Sequence, residues 1–301
     1  MQQQKIIVTG AAGQLGRELQ IAADAFPQFA FRFLSRNDLA IEDSTATLAL
    51  FQQEQPDWCI NCAAYTAVDK AETEKEQAFR INGTAVGTLA AACRHTGARL
   101  VHLSTDYVFD GSSPRPLKEE DPTGPISVYG ASKLQGEQLA MKEHADGTVI
   151  LRTSWVYSEF GHNFVKTMIR LMNERPSINV VNDQVGSPTY AADLATAILT
   201  ITATTPFVPA THSPHFVPGI YHYSNEGRIS WYEFALAIKE LTGSTCIVNP
   251  IPTTQFPTPA KRPAFSLLDK GLIRATYGLS IAEWKDSLAK CLRRLTPTPG
   301  S

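Results

Sequence analysis

The N-terminal region constrains the fold more than any other part of this chain. Residues 5–9 (KIIVT) form a short β-branched apolar run that is typical of a buried parallel strand. Residues 10–16 (GAAGQLG) follow at once, and residues 17–23 then show helical periodicity. A glycine-rich turn between a strand and a helix lets backbone N–H groups and the helix N-terminus approach a pyrophosphate. An ordinary tight turn has the same glycines, but the strand before it and the helix after it favour a dinucleotide site.

Strands and helices alternate up to about residue 154. Strands are predicted at 5–9, 29–34, 58–62, 100–104 and 147–151. Helices are predicted near 14–25, 44–54, 71–96 and 129–145, with Ser44 as an N-cap and Gly97 as a stop signal. The alternation predicts an α/β fold with a Rossmann-type doubly wound parallel sheet, followed by a smaller C-terminal α+β substrate lobe. We assign residues 1–154, plus about 183–204, to the dinucleotide-binding domain, and about 155–182 and 205–301 to the lobe.

Composition excludes several classes of protein. The chain has 301 residues, 43% of them hydrophobic, and a net charge of −2, which is typical of a globular protein and gives no indication of nucleic acid or membrane as partner. An apolar run of the length needed to span a bilayer and a signal-peptide pattern are both missing from the sequence, so we expect a cytoplasmic protein. Five cysteines, an odd number, indicate reduced thiols. Cys59 and Cys62 would point to opposite faces of a strand, so no metal site is expected there.

Residues 129–133 (YGASK) place Tyr129 and Lys133 four residues apart, on one face of a predicted helix. A neighbouring cation favours the phenolate and brings the phenol pKa toward neutrality, so the pair is suited to acid/base work on a carbonyl or an alcohol. This spacing is also common on solvated helices. It gains weight from the glycine turn and from Thr105, which follows another strand of the same sheet and could hydrogen-bond a substrate oxygen.

Together these features resemble the extended short-chain dehydrogenase/reductase superfamily. Five separated segments narrow the resemblance to the dTDP-4-dehydrorhamnose reductase family, and the likeness extends from the first strand to at least residue 270. The segments are 61–72 (NCAAYTAVDKAE), 104–109 (STDYVF), 129–137 (YGASKLQGE), 152–157 (RTSWVY) and 258–263 (TPAKRP). The resemblance implies reduction of the C4 ketone of dTDP-4-dehydro-6-deoxy-L-mannose to dTDP-L-rhamnose, a precursor of cell-surface polysaccharide.

The resemblance also implies roles for individual residues. Tyr129 would donate the proton, Lys133 would hold the nicotinamide ribose and lower the phenol pKa, and Thr105 would tune the phenol. Thr105, Asp106, Tyr129, Trp155 and Arg262 would contact the dTDP-sugar. The coenzyme-binding residues would be Gly10, Gly13, Gln14, Leu15, Gly16, Ser35, Arg36, Ala40, Ile41, Ala63, Ala64, Tyr65, Thr66, Leu103, Tyr129 and Lys133.

The chain departs from the family pattern at two places. Ser35 stands where many relatives have an acidic residue for the ribose hydroxyls, and Ala40 stands where they often have Asp. Because Arg36 without that carboxylate tolerates a 2′-phosphate, we expect NADPH as the coenzyme, with NADH also accepted. Some relatives use Mg²⁺ at a dimer contact, but residues 290–294 (KCLRR) have no acidic cluster, so we expect no metal. The resemblance leaves room for a homodimer.

Four alternatives share the same core. A dehydratase needs a second carboxylate after the threonine, and here Asp106 is followed by Tyr107. A nucleotide-sugar epimerase or a 4-ketoreductase for another sugar would use the same Tyr129 and Lys133. A non-catalytic NADP-binding regulatory subunit, similar to that of methionine adenosyltransferase, would use the fold as a binding module.

Overall fold

A computed structural model of the chain describes residues 3–204 and 215–295. Its strands, in chain order, are β1 Gln4–Thr9, β2 Phe29–Leu34, β3 Trp58–Asn61, β4 Arg99–Thr105, β5 Thr148–Thr153, β6 Val156–Tyr157, β7 Ser177–Val181, β8 Val185–Gly186, β9 Thr189–Tyr190, β10 Gly219–His222, β11 Ile229–Ser230 and β12 Ile247–Ile251. Its helices are α1 Gln14–Ala22, α2 Ser44–Glu54, α3 Val68–Ala71, α4 Lys75–Phe79, α5 Ala85–Thr96, α6 Val128–His144, α7 Phe164–Glu174, α8 Ala191–Thr202, α9 Trp231–Thr242, α10 Gly271–Tyr277 and α11 Trp284–Leu295.

A parallel sheet of strand order β2-β1-β3-β4-β5-β10 forms the centre of the described part of the molecule. The order reverses between β1 and β3, and ligands bind outside the carboxyl ends of strands at such a switch point. The five predicted strands are found within one or two residues of their predicted bounds. The sixth, β10, was not predicted and comes from a stretch that the sequence assigns to the lobe.

Side chains along β1 point alternately to the two faces of the sheet, and each face is covered by a buried apolar layer. Ile6 and Val8 point to one face and pack with Ile198 of α8, whereas Ile7 points to the other and packs with Leu89 of α5. The thiols of Cys59 and Cys62 also lie on opposite faces, as predicted. Cys59 belongs to the layer that contains Ile7, and Cys62 packs against the layer that contains Ile6.

A third apolar cluster lies outside the sheet. It joins α7, α9 and α11 around Phe234 and Leu288, beside the two-stranded pairs β7–β12 and β8–β11. The division into a dinucleotide domain and a lobe stays a prediction, and residues 205–214 and 296–301 of that lobe lie outside the described part. In the ranges 3–204 and 215–295, every helix is too short or too polar to span a membrane.

Two local predictions differ from the structure. The N-cap of α2 is Asp43 rather than Ser44, because the Asp43 carboxylate accepts the Ala46 N–H at 3.0 Å. The helix predicted over 71–96 is divided into α3, α4, a π-helical turn at Arg80–Thr84 and α5. The buried Asn82 side chain in that turn bonds the Tyr65 backbone and the Ser132 hydroxyl, which links it to α6. Gly97 ends α5 as predicted, with φ +75°.

Candidate active site

The glycine turn lies at the carboxyl end of β1, and its glycines are required by close packing. Gly10 has φ +69°, and a Cβ there would lie 2.5 Å from the Ala63 nitrogen. A Cβ on Gly16 would lie 2.5 Å from the Gly10 carbonyl oxygen. Gly13 precedes α1, so the helix begins with its first N–H groups directed toward the turn. This arrangement is a cradle that a pyrophosphate fits and that larger side chains would fill.

A cleft of about 560 Å³ opens above this turn. Its volume lies within the usual range for a site that binds a cofactor. It brings together most of the predicted coenzyme residues: Gly10, Gly13, Gln14, Leu15, Gly16, Arg36, Ile41, Ala63, Ala64, Thr66, Leu103, Tyr129 and Lys133. The glycine turn and the Tyr–Lys pair, which are far apart in the sequence, therefore face one cavity.

Among the described residues, three predicted coenzyme contacts do not line the cleft: Ser35, Ala40 and Tyr65. The Ser35 N–H and hydroxyl both donate to the Asp38 carboxylate, at 2.8 and 2.6 Å. The Tyr65 hydroxyl donates to Glu74 at 2.7 Å, away from the cleft. The contact of these three residues with the coenzyme stays a prediction.

Several lining residues were not predicted. Leu39, Ile81 and Leu194 add apolar surface, and Glu42, Ser104, Thr153 and His162 add polar groups. Gly161 and His162 come from the segment before α7, which the Asn163 amide ties to the Gln14 side chain at 2.9 Å. This tertiary contact joins residues 149 positions apart, so no local spacing indicates it. Glu42 was within reach of sequence reasoning, since it directly follows the predicted contact Ile41.

Helix α6 places Tyr129 and Lys133 against the end of β4. The Ser127 hydroxyl accepts the Gly130 N–H and caps the helix, and a Cβ on Gly130 would lie 2.1 Å from the Tyr107 carbonyl oxygen. This close approach sets the Tyr129 ring edge-on to Tyr107, with 5.6 Å between ring centroids. The Lys133 ammonium is buried and donates to the Leu103 carbonyl at 2.5 Å.

Burial dominates the titration of this pair. It raises the pKa of Tyr129 to about 12, an effect that a hydrogen bond with Thr105 reduces and the Asp106 charge increases. It lowers the pKa of Lys133 to about 8, against the attraction of Glu137. The sequence predicts a lowered phenol pKa, and in the structure the direction is the opposite, because desolvation outweighs the other influences. The Tyr129 phenol therefore keeps its proton at neutral pH.

Thr105 and Asp106 lie beneath Tyr129 and are almost fully buried. The Thr105 hydroxyl donates to Asp106 at 3.0 Å and accepts the Tyr107 N–H at 3.2 Å. Desolvation raises the pKa of the Asp106 carboxyl to about 6. In the described ranges, neither residue lines either of the two cavities that we characterise, so their contact with a sugar stays a prediction.

A buried ion pair supports α6 from below. Glu137, one turn after Lys133, accepts hydrogen bonds from the Arg152 guanidinium at 2.7 to 3.2 Å. The Ser104 hydroxyl donates to the same carboxylate at 2.5 Å. Because both charges are paired and hydrogen-bonded, the pair joins α6 to β4 and β5. It thereby fixes the position of Lys133 relative to the ends of these strands.

A second cavity of about 220 Å³ lies in the C-terminal region. Its lining is mostly apolar and includes Phe164, Met168, Trp231 and Phe256, with Arg262 at one side. Arg262 forms a bidentate pair with Asp69, at 3.2 and 2.9 Å, so it links this cavity to α3.

Trp155 stands beside this second cavity without lining it. Its backbone has φ +50°, a conformation that bulky residues rarely adopt. Its ring stacks on Trp231 with 3.6 Å between centroids, and a Cβ on Gly186 would lie 3.0 Å from it. The contacts with Trp231 and Gly186 hold the indole in a fixed orientation despite the backbone strain.

The C-terminal helix carries an arginine between two carboxylates. Arg294 contacts Glu18 at 3.3 Å and Glu159 at 2.9 Å. Over residues 3–204 and 215–295, no group of three or more His, Cys, Asp and Glu side chains could hold a metal ion.

Comparison with known proteins identifies the family. A family model described as RmlD substrate binding domain matches residues 4–296. The dTDP-4-dehydrorhamnose reductase of Sinorhizobium fredii is 42% identical over 287 residues, which cover 94% of this chain and 95% of that protein. The chain belongs to the dTDP-4-dehydrorhamnose reductase family. The resemblance predicted from the five sequence segments is thus confirmed.

Solved structures of family members confirm the fold. A dTDP-4-dehydrorhamnose reductase of Clostridium acetobutylicum superposes with a TM-score of 0.90 at 40% identity, over 97% of this chain and 99% of that one. The Bacillus anthracis enzyme, solved in complex with NADP, gives a TM-score of 0.90 at 38% identity with the same coverage. The Rossmann-type α/β architecture predicted for this chain is that of the family.

Proposed function

We propose that this protein reduces the C4 ketone of dTDP-4-dehydro-6-deoxy-L-mannose to dTDP-L-rhamnose, with NADPH as the coenzyme. One observation carries the proposal: Tyr129 and Lys133 line the same cleft as the glycine turn. Membership of the dTDP-4-dehydrorhamnose reductase family supports this reaction over elimination, epimerisation or a purely regulatory role. It also supports NADP as the coenzyme, since the Bacillus anthracis relative is solved with it.

The residues of the cleft fit a dinucleotide. The turn from Gly10 to Gly16 would hold the pyrophosphate, Ala63, Ala64 and Thr66 would lie along the coenzyme, and Lys133 would hold the nicotinamide ribose. Bound NADPH supplies the hydride. The apolar residues Leu39, Ile41 and Ile81, which line the same cleft as Arg36, would enclose the adenine.

Tyr129 would donate the proton that the carbonyl oxygen needs as negative charge develops on it. The phenol is protonated over the neutral range, as a phenol of ordinary pKa is, and burial raises its pKa further. It can therefore give a proton only to an oxygen that becomes strongly basic during the reaction, as a ketone oxygen does when hydride adds. The buried Lys133 ammonium adds a positive charge that stabilises the phenolate left behind. Thr105 lies close enough to the phenol to lower its pKa and would help to orient it.

The second cavity would take the nucleotide end of the substrate. Its aromatic lining suits a thymine base, and Arg262 at its side suits the diphosphate. Asp69 of α3 pairs with Arg262 and would hold it in place beside this cavity. Trp155 would pack against the sugar nucleotide.

The cysteines and the family resemblance give expectations about localisation and assembly. All five cysteines are free thiols, which supports a reducing compartment, the cytoplasm. A homodimer stays a prediction from the family resemblance, and light scattering of the purified protein tests it.

The reaction is tested by presenting purified protein with NADPH and a panel of dTDP- and UDP-4-keto sugars. We expect stoichiometric loss of NADPH absorbance with the dTDP-4-dehydro-6-deoxy-L-mannose substrate and formation of dTDP-L-rhamnose. Conversion of the sugar without net coenzyme oxidation would indicate an epimerase instead. Coenzyme binding without turnover of any sugar would indicate the regulatory role.

A further inference from the structure

We propose that Glu42 sets the coenzyme selectivity of this protein by competing with the 2′-phosphate of NADPH for Arg36. The inference rests on the proposed function, because it assumes that the large cleft binds a nicotinamide coenzyme. It adds a residue that neither the sequence patterns nor the family resemblance assigns.

The position of the pair follows from the end of β2. The Ala11 N–H donates to the Leu34 carbonyl at 3.0 Å, so the end of this strand lies against the glycine turn. Arg36 comes two residues later, and both Arg36 and Glu42 line the cleft. In Rossmann folds the adenine ribose is recognised just beyond this strand. The ion pair therefore lies where a 2′-hydroxyl or a 2′-phosphate would be recognised.

The charges at this point are already paired. Arg36 Nη2 lies 2.6 Å from Glu42 Oε1, with the Arg36 side chain 64% exposed and the Glu42 side chain 16% exposed. The Asp38 carboxylate is engaged by the Ser35 N–H and hydroxyl. Arg36 is thus accessible to a ligand, whereas Glu42 is mostly buried in the wall of the cleft.

The two coenzymes would affect this pair differently. A 2′-phosphate would attract the Arg36 guanidinium and repel the Glu42 carboxylate. The binding free energy that the phosphate gains from Arg36 is therefore reduced by the loss of the Arg36–Glu42 pair. A coenzyme with a free 2′-hydroxyl leaves the pair intact. Glu42 would therefore narrow the preference for NADPH and keep NADH usable, although the family acid at position 35 is replaced by serine.

Binding of adenine nucleotides tests this without catalysis. Dissociation constants for 2′,5′-ADP and for 5′-ADP are measured by titration calorimetry with the whole protein. In Glu42→Gln we expect 2′,5′-ADP to bind about three- to tenfold more tightly, with 5′-ADP unchanged. In Arg36→Gln we expect weaker binding of 2′,5′-ADP. Glu42→Gln added to Arg36→Gln should give a smaller gain than Glu42→Gln alone, because only the direct repulsion between the phosphate and the carboxylate remains to be relieved.

The matched control is Glu54→Gln. Glu54, the last residue of α2, pairs with Arg32 of the edge strand β2. Neither residue lines the cleft. Unchanged 2′,5′-ADP affinity in Glu42→Gln, or an equal gain in Glu54→Gln, would overturn the inference. Loss of the keto-sugar reaction would count against the proposed function alone, because nucleotide binding is measured separately.

Discussion

Tyr129 is a phenol that the fold keeps protonated. Its surroundings desolvate it and set a buried carboxylate, Asp106, close by, and both influences raise its pKa. For reduction of a ketone this is the useful state, since the residue must give a proton rather than take one. In the proposed mechanism Lys133 would act mainly after the proton has left, when its charge would stabilise the phenolate.

Replacing Tyr129 with Phe tests this role. We expect kcat to fall by about 100- to 10,000-fold, the usual contribution of a positioned general acid, while the dissociation constant for NADPH changes little. Tyr107→Phe is the matched control, because its ring packs against Tyr129 without a proposed proton role. Full activity in Tyr129→Phe would remove the residue from the mechanism.

The pKa of Lys133 gives a pH dependence. Because burial lowers that pKa to about 8, the ammonium loses its proton as pH rises through this value. We expect kcat/KM to fall above about pH 8, since this parameter reports ionisations of the free enzyme. Lys133→Arg, which keeps its charge at all accessible pH values, should lose this decline even if its activity is lower. A wild-type profile that stays flat to about pH 10 would contradict the assignment.

The sequence motifs predicted which residues line the cleft better than they predicted the pKa shifts of those residues. Spacing along a helix places Tyr129 and Lys133 on one face, but the direction of a pKa shift depends on how much protein surrounds the groups. The same limit explains Ser35, whose position was recognised but whose hydroxyl is taken by Asp38. A partner three residues away competes with any ligand, and the family pattern does not show it.

At the scale of elements, the site depends on how closely α1 approaches β1. Gly16 lies on the inner side of α1, against the backbone of Gly10 and Ala11. The helix N-terminus can point into the cleft only if this contact has no side chain.

Gly16→Ala should therefore separate α1 from the turn. Its Cβ would meet the Gly10 oxygen at 2.5 Å and the Ala11 Cα at 2.6 Å, so we expect a loss of about 1–3 kcal/mol in the free energy of unfolding, typical of overpacking. NADPH binding should weaken as well, as measured by calorimetry. Gly124→Ala is the control, since its nearest neighbour, the Asp110 Cβ, lies at 3.6 Å. Equal behaviour of the two variants would refute the packing argument.

Elements with strong periodicity were predicted closely, and those fixed by tertiary contacts were not. The strands β1 to β5 alternate with helices along the chain, so apolar runs and glycine signals locate them. Strand β10 has no such pattern in the sequence and takes its place in the sheet by pairing with β5. The π-helical turn at Arg80–Thr84 likewise depends on contacts of Asn82 with α6, which no local pattern shows.

Across the whole molecule, a buried cluster joins the glycine-turn helix to the C-terminal helix. Glu18 of α1 accepts the Ser158 hydroxyl at 2.9 Å and contacts Arg294, which also contacts Glu159. Desolvation and the neighbouring Glu159 raise the pKa of Glu18 to about 7. The folded protein thus holds a proton on Glu18 that the unfolded chain releases at lower pH.

This cluster makes stability depend on pH. Because the folded pKa lies above the unfolded value of 4.5, the stabilisation is complete below that value and is lost as pH rises through about 7. Between about pH 5 and 8, we expect wild type to lose about 2–3 kcal/mol of unfolding free energy relative to Glu18→Gln. Urea unfolding at both pH values measures this difference. Glu240→Gln is the control, because the Glu240 side chain is 65% exposed, and its unfolding free energy should change with pH as that of wild type does. The same pH dependence of unfolding free energy in all three proteins would exclude the cluster as the cause.

The stacked indoles of Trp155 and Trp231 supply the protein with a built-in optical reporter. Two such rings 3.6 Å apart share their electronic excitations, so they should give a paired band of opposite signs in circular dichroism. Trp231→Phe should abolish that couplet and leave the signals of Trp58 and Trp284. Because Trp231 also forms part of the second cavity, arrival of a thymidine nucleotide there should alter the band before any chemistry occurs.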